Sequence, residues 1–186
     1  MGYTCYSVEN RSINTIANGY TTKSVNEIFT QNKKHRVHES MDSTKIITRE
    51  CLDSDNHPNT IPIILALDVT GSMGIIPHEL IKEGLPKLMS KMIQNGIEDA
   101  SLMFVGVGDH EYDRHPFQAG QFESGDEELD MWLTRTYLEG GGGGNDGESY
   151  MLPWYFATHH VKTDAFNKRG KKGFLFTIGD EPLLPI

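Results

Sequence analysis

The stretch Ile61 to Leu67 reads Ile-Pro-Ile-Ile-Leu-Ala-Leu, an apolar run broken only by Pro62 and stopped by Asp68. It shows no alternation, so a strand made from it needs cover on both faces, the condition of a strand inside a parallel sheet. Pro62 falls near the first residue, where a missing N–H is tolerated. Two more runs behave in the same way. Ser101 to Val107 ends in Gly108-Asp109, and Gly173 to Ile178 ends in Gly179-Asp180.

Helical patterns lie between them. Ile76, Leu80, Ile81, Leu85, Leu88, Met89, Met92 and Ile93 keep one apolar stripe that Gly96 stops, with Gly84 and Pro86 expected to kink or weaken it. Ser124 and Glu127 form a capping box before a helix whose face carries Leu129, Trp132, Leu133 and Tyr137. Glu148 to about His160 reads as a further helix despite Pro153. Alternating strands and helices predict an α/β fold with a mainly parallel sheet. In such sheets the site lies beyond the carboxyl ends of the strands, where strand order reverses. Asp68, Asp109 and Asp180 are expected to meet there.

Residues 1–57 are polar and weakly patterned and read as an N-terminal extension to a domain spanning 58–186. Ser24 with Glu27 makes a capping box for a short helix ending near Thr30, and Lys45 to Cys51 could form one edge strand. With 186 residues, the chain suits one domain with an interior of its own. The hydrophobic fraction of 37% and the charged fraction of 23% fit a soluble globular protein. No apolar stretch approaches the roughly 20 residues that span a bilayer, so no membrane role is expected. The opening MGYTCYSVENRS lacks the features of a secretory signal. Cys5 and Cys51 are therefore read as free thiols in a reducing, cytoplasmic setting.

A net charge of -9 argues against general nucleic-acid binding. The basic cluster from Lys168 to Lys172 reads as a solvated loop before a strand. Trp132 and Trp154 read as packing residues. No phosphate-binding Gly-x-x-x-x-Gly-Lys-[Ser/Thr] loop is present.

The chemistry concentrates where the first strand meets its loop. Asp68, Thr70 and Ser72 place a carboxylate and two hydroxyls at alternate positions, and Gly71 and Gly74 allow tight bends. Oxygen donors of this kind suit a hard divalent cation such as Mg²⁺. Asp68 and Ser72 could instead merely cap the following helix. A second element favours the cation. Leu138 to Tyr150 carries five glycines, Gly140 to Gly144, followed by Asn145, Asp146 and Glu148.

With these pieces in order, the chain resembles the von Willebrand factor A domain family over roughly residues 60–182. The resemblance rests on Asp68-Val69-Thr70-Gly71-Ser72-Met73-Gly74, the glycine loop, and the strand running from Phe174 to Gly179-Asp180. It implies a Rossmann-like, doubly wound sheet with helices on both faces. It also implies a metal-ion-dependent adhesion site holding Mg²⁺ or Mn²⁺ through Asp68, Thr70, Ser72, Asn145 or Asp146, and Asp180. A partner protein presenting Asp or Glu would complete the ion's shell, and the chain would not be an enzyme. Thr70 stands where the family has Ser. Asn145, with Asp146 beside it, stands where the family has a loop Thr. The family would also continue beyond Ile186 with a helix, a strand and another helix.

A rival reading is a haloacid-dehalogenase-like phosphohydrolase or phosphotransferase, in which Asp68 attacks phosphorus and Asp180 holds Mg²⁺. The second late acid of that family is missing, since Glu181 is followed by Pro-Leu-Leu-Pro. His110 and His115 meet no transition-metal spacing and read as a rim beside the site, with Asp113 and Arg114 able to pair. His159-His160 reads as a helix end.

Overall fold

A computed structural model describes residues 4–71, 73, 75–140 and 147–184. The predicted apolar runs form the heart of a four-stranded sheet. β2 (Ile61–Asp68), β3 (Ala100–Val107) and β6 (Phe174–Ile178) are parallel, and β4 (Phe117–Ala119) adds antiparallel to β3, giving the order β4-β3-β2-β6. The class is α/β. The chain leaves β2 on one side to form β3 and returns on its other side as β6, so strand order reverses at β2. Asp68 lies opposite Val107, and Leu67 lies opposite Ile178, so the three strands finish level.

Both faces of β2 are covered. Ile63, Leu65 and Leu67 pack with Ile81, Leu85, Met89, Leu129 and Leu133 on one face. Ile64 and Ala66 pack with Val105, Phe117, Phe122 and Phe156 on the other. Burial of each such Leu, Ile or Phe contributes about 1.5–3 kcal/mol, which explains why the run tolerates no polar residue before its end.

The helices follow the stripes, with corrections at their ends. The predicted kink takes the form of a widened turn. α3 (Ile75–Glu79) passes through a π-helical turn at Leu80–Gly84 into α4 (Leu85–Gln94). Pro86 follows just after that turn, whose wider spacing accommodates the N–H that proline lacks within a continuous helix. α5 (Asp126–Thr134) does not begin with the expected Ser124–Glu127 capping box. Its cap is Gly125, because the Ser124 hydroxyl donates to the Ala100 carbonyl at 3.0 Å. α6 is Leu152–His159 and starts four residues later than expected, with Pro153 in its first turn and His159-His160 at its end as predicted. α7 (Asp164–Arg169) carries half of the basic cluster, which is therefore not simply a solvated loop. Arg169 grips the Asp53 carboxylate at 2.6 and 3.1 Å.

The N-terminal residues build α1 (Val8–Ala17) and α2 (Val25–Ile28), the latter with its predicted Ser24–Glu27 box, followed by three 3₁₀ turns. The expected edge strand shrinks to β1 (Arg49–Cys51), which pairs in parallel with β5 (Val161–Thr163) in a separate two-stranded sheet. Phe29 and Met41, both fully buried, join the same core as β2. Arg11 of α1 is buried too. Its guanidinium donates to Asp130 of α5 and to the Ile81 carbonyl, and lies over the Tyr20 ring.

This N-terminal cover stops short of β6. Phe174 and Phe176 remain 55% and 52% exposed, and Trp154, expected to pack, is 51% exposed on α6. Trp132 is buried as expected. Cys5 and Cys51 are both free thiols. Among the described residues, no helix is long and apolar enough to cross a membrane.

The Arg11–Asp130 pair ties the N-terminal segment to the sheet domain. Asp130→Ala leaves a buried guanidinium without its counter-charge and is expected to cost about 3–5 kcal/mol in urea unfolding. A loss below about 1 kcal/mol would show that Arg11 escapes to solvent.

Candidate functional site

The carboxyl edge of the sheet is built around Asp68, which is 1% exposed. The chain turns directly after it, so the Thr70 N–H and hydroxyl both donate to Asp68 Oδ1, at 2.9 and 2.6 Å. The Tyr150 hydroxyl donates to Oδ2 at 2.7 Å from across the sheet edge. Burial, and then the bond to Asp68, hold that phenol strongly in its protonated form. An aspartate carried by the end of a central strand is thus held by three donors, none of them a cation.

More acid surrounds it. Asp109 is buried at the end of the β3 segment and accepts from the Glu111 N–H at 2.8 Å. Asp113 curls back, and its Oδ2 accepts from the Asp109 N–H at 2.7 Å rather than pairing with Arg114. Burial and the charges of Asp109 and Asp68 push the Asp113 carboxyl above its usual range. Glu148 is 5% exposed, and its Oε2 has no hydrogen-bond partner among the described residues. Burial, followed by the charges of Asp68, Asp113 and Asp109, lifts its carboxyl to about 8, with only Thr70 opposing through a hydrogen bond. Glu139 rises to about 7 through burial and the charge of Asp113, and its Oε2 is likewise unpartnered.

Among the described residues, none of these five acids forms an ion pair with Lys, Arg or His. Carboxylates crowded into a low-dielectric edge repel one another, so they take up protons where a cation would otherwise stand.

Backbone contacts hold the surrounding loops. The Glu139 N–H donates to the Val69 carbonyl at 3.0 Å, and the Glu148 N–H to the Pro182 carbonyl at 2.9 Å. The Ser149 hydroxyl accepts from the His110 N–H at 2.9 Å and contacts the His110 ring at 2.8 Å, which fixes the exposed His110 beside the loop after β3. The two Gly-Asp pairs gain a second meaning. A Cβ at Gly108 would lie 2.3 Å from Asp113 Oδ2, and one at Gly179 would lie 2.0 Å from the Tyr150 hydroxyl. Glycine at each strand end admits a side chain of the cluster.

Of the expected ligands, Asp68 and Thr70 stand together at the edge. Asp180 follows β6 and is exposed. Ser72, Asn145 and Asp146 lie outside the described residues. Glu139 and Tyr150 had not been singled out, and Asp113 had been read only as a partner for Arg114. Glu139 carried a signal, its place directly before the glycine run, but Asp113 and Tyr150 depend on how their loops fold back.

The donor chemistry fits a hard cation, all oxygen and with two buried carboxylate oxygens, of Glu148 and Glu139, unclaimed among the described residues. As they stand, however, no three His, Cys, Asp or Glu side chains among the described residues converge closely enough to hold an ion. Comparison with protein-family models, curated protein sequences and solved structures returned no match.

The raised Glu148 carboxyl has a direct consequence for stability. Its folded value of about 8 exceeds the roughly 4.3 of an unfolded Glu. Folding therefore loses nothing below about pH 4, and the penalty for ionising Glu148 grows as pH rises from there to about 8. The urea midpoint of metal-free protein should fall across that window, and Glu148→Gln should recover on the order of 1–3 kcal/mol at pH 8. An unchanged pH slope in that variant would place the titration elsewhere.

Proposed function

We propose that the chain is a divalent-cation-dependent protein-interaction module of von Willebrand A-like, doubly wound architecture. Mg²⁺ or Mn²⁺ would bind at the carboxyl edge of the sheet. The observation that carries this reading is the buried Glu148 carboxylate, whose Oε2 has no hydrogen-bond partner among the described residues, set near the charges of Asp68, Asp113 and Asp109. Asp68, Thr70 and Glu148 are the residues that would hold the ion, with Ser72, Asn145, Asp146 and Asp180 as the further candidates from the sequence pattern. The cation supplies a hard positive centre that relieves the acid repulsion and offers a position to an incoming oxygen.

A partner's Asp or Glu is the ligand the family resemblance implies. The acids already on the edge lower the residual charge of a bound ion, so capture of a partner carboxylate should be weak and strictly cation-dependent. The phosphotransferase alternative draws less support. Asp68 is buried and engaged at both oxygens, an arrangement that restrains a side chain rather than freeing it to attack phosphorus.

Calorimetric titration with Mn²⁺ tests the reading. The wild-type protein should bind Mn²⁺, and Asp68→Ala and Thr70→Val should each weaken binding by about tenfold or more while the fold is retained in circular dichroism. A short Asp-containing peptide should bind only when Mn²⁺ is present. Mn²⁺ binding that ignores both substitutions would remove the site. Hydrolysis of a phosphomonoester that is lost in Asp68→Asn would transfer the assignment to the phosphotransferase reading.

A further inference from the structure

The amino end of the sheet, opposite the acidic edge, gathers a thiol, an imidazole and a carboxylate from three distant stretches of chain. β2 and β3 start level there, with Ile61 opposite Ala100. Asp99 stands directly before β3, and its Oδ2 accepts from the Asn59 N–H at 3.1 Å. His57 lies in the turn leading into β2, where its N–H and its carbonyl both bond to Ser54. His57 is only 4% exposed, and its Nδ1, 3.5 Å from Asp99 Oδ1, has no hydrogen-bond partner among the described residues. The other ring nitrogen, Nε2, faces the N-terminal segment, with Cys5 Sγ at 3.7 Å and the Thr4 carbonyl at 3.1 Å. Acids of α5 hold that segment on both sides of the thiol. Glu128 accepts from the Thr4 hydroxyl at 2.9 Å, and Asp126 accepts from the Ser7 N–H at 3.1 Å.

We propose that Cys5 is a nucleophile for acyl transfer, with His57 as its general base and Asp99 as the residue that positions the imidazole. A thiol, a base and a carboxylate in series are the arrangement that activates sulfur towards a carbonyl carbon. Asp99 favours a proton on Nδ1, which leaves Nε2 to take one from the thiol. The Thr4 carbonyl then accepts from the new Nε2–H, and Asp99 balances the charge of the ring. Catalytic hydrogen bonds tighten from such separations when substrate binds. Cys5 and His57 line a cavity of about 240 Å³ that also contains Tyr6, Met89, Ile93 and Glu98. Its size and apolar side chains suit an ester with a short apolar acyl group, and the charges of Glu98 and Asp99 disfavour an anionic one. The Cys5 sulfur bonds to the carbonyl carbon, the bond to the alcohol oxygen breaks, and the thiol proton passes through His57 to the departing alcohol. Water then attacks the thioester and releases the carboxylic acid, while its proton returns through His57 to the Cys5 sulfur. The site shares no residue with the cation edge, so it holds whether or not that edge binds a metal.

Nitrophenyl butyrate and the full chain test the assignment, with circular dichroism to check that each variant is folded. The wild type should release nitrophenol in a burst followed by steady turnover. Peptide mass spectrometry should find the butyryl group on Cys5 and none on the buried Cys51. Cys5→Ser should remove the burst. His57→Gln should slow acylation of Cys5 by about a hundredfold. Asp99→Asn should lower kcat by about tenfold or more with KM unchanged, the mark of a residue that positions the base rather than shapes the cavity. Alkylation of Cys5 by iodoacetamide should fall in both variants, as it would not for a thiol that is merely accessible. Equal acylation of Cys5 in the wild type and His57→Gln overturns the proposal, and so does acylation of Cys51 or of lysines in place of Cys5. If His57→Gln does not fold, Asp99→Asn decides, and an unchanged kcat there overturns the proposal as well.

Discussion

The placement of the Asp68 carboxylate is the constraint around which the carboxyl edge of this sheet is arranged. A charged group taken out of water costs several kcal/mol unless donors replace its hydration. Here β2 carries the carboxylate to the end of a strand covered on both faces, and three donors meet it: the Thr70 amide, the Thr70 hydroxyl and the Tyr150 phenol. Each donor imposes a condition on the chain. Thr70 requires an immediate turn after β2. Tyr150 requires the backbone of Gly179 to lie bare beneath its hydroxyl, which joins the end of β6 to the segment before α6.

Other acids then accumulate around a group that is already satisfied, and they work against stability. Asp109 and Asp113 have backbone donors, but Glu148 and Glu139 each keep a buried oxygen without one. Such an arrangement weakens the fold as it ionises and gains from any cation that enters. The molecule bears that cost elsewhere, through a core running from Phe29 and Met41 to Leu129 and Leu133, and through the buried Arg11–Asp130 pair. The N-terminal segment packs α1 on α4 and α5 and pairs β1 with β5, while Phe174 and Phe176 of β6 stay more than half exposed.

The agreement between sequence and structure follows the strength of the local signal. β2, β3 and β6 were legible because continuous apolar runs of that length have few ways to be buried. The α3–α4 stripe was legible too, and Pro86 announced the disturbance that became a π-helical turn. Helix starts were read less well. Ser124 has the composition of a cap, but the carbonyl of Ala100, distant in sequence, takes its hydroxyl. Glu148 looked like the first turn of a helix, while its backbone instead pairs with Pro182 and Leu184. Trp154 suggested burial by its size, yet it stays half exposed on α6.

From residue order alone came the α/β class and the parallel strands, each with an acid at or just past its end, because apolar period and strand direction are local properties. Only the tertiary structure decided which acids lose their partners. Desolvation and repulsion arise from groups far apart in the chain, such as Glu148 and Asp68 or Glu139 and Asp113, and no spacing encodes them. The exposure of Phe174 and Phe176 has the same origin: the apolar pattern of β6 is written in five residues, but how far they are covered depends on where the other elements pack.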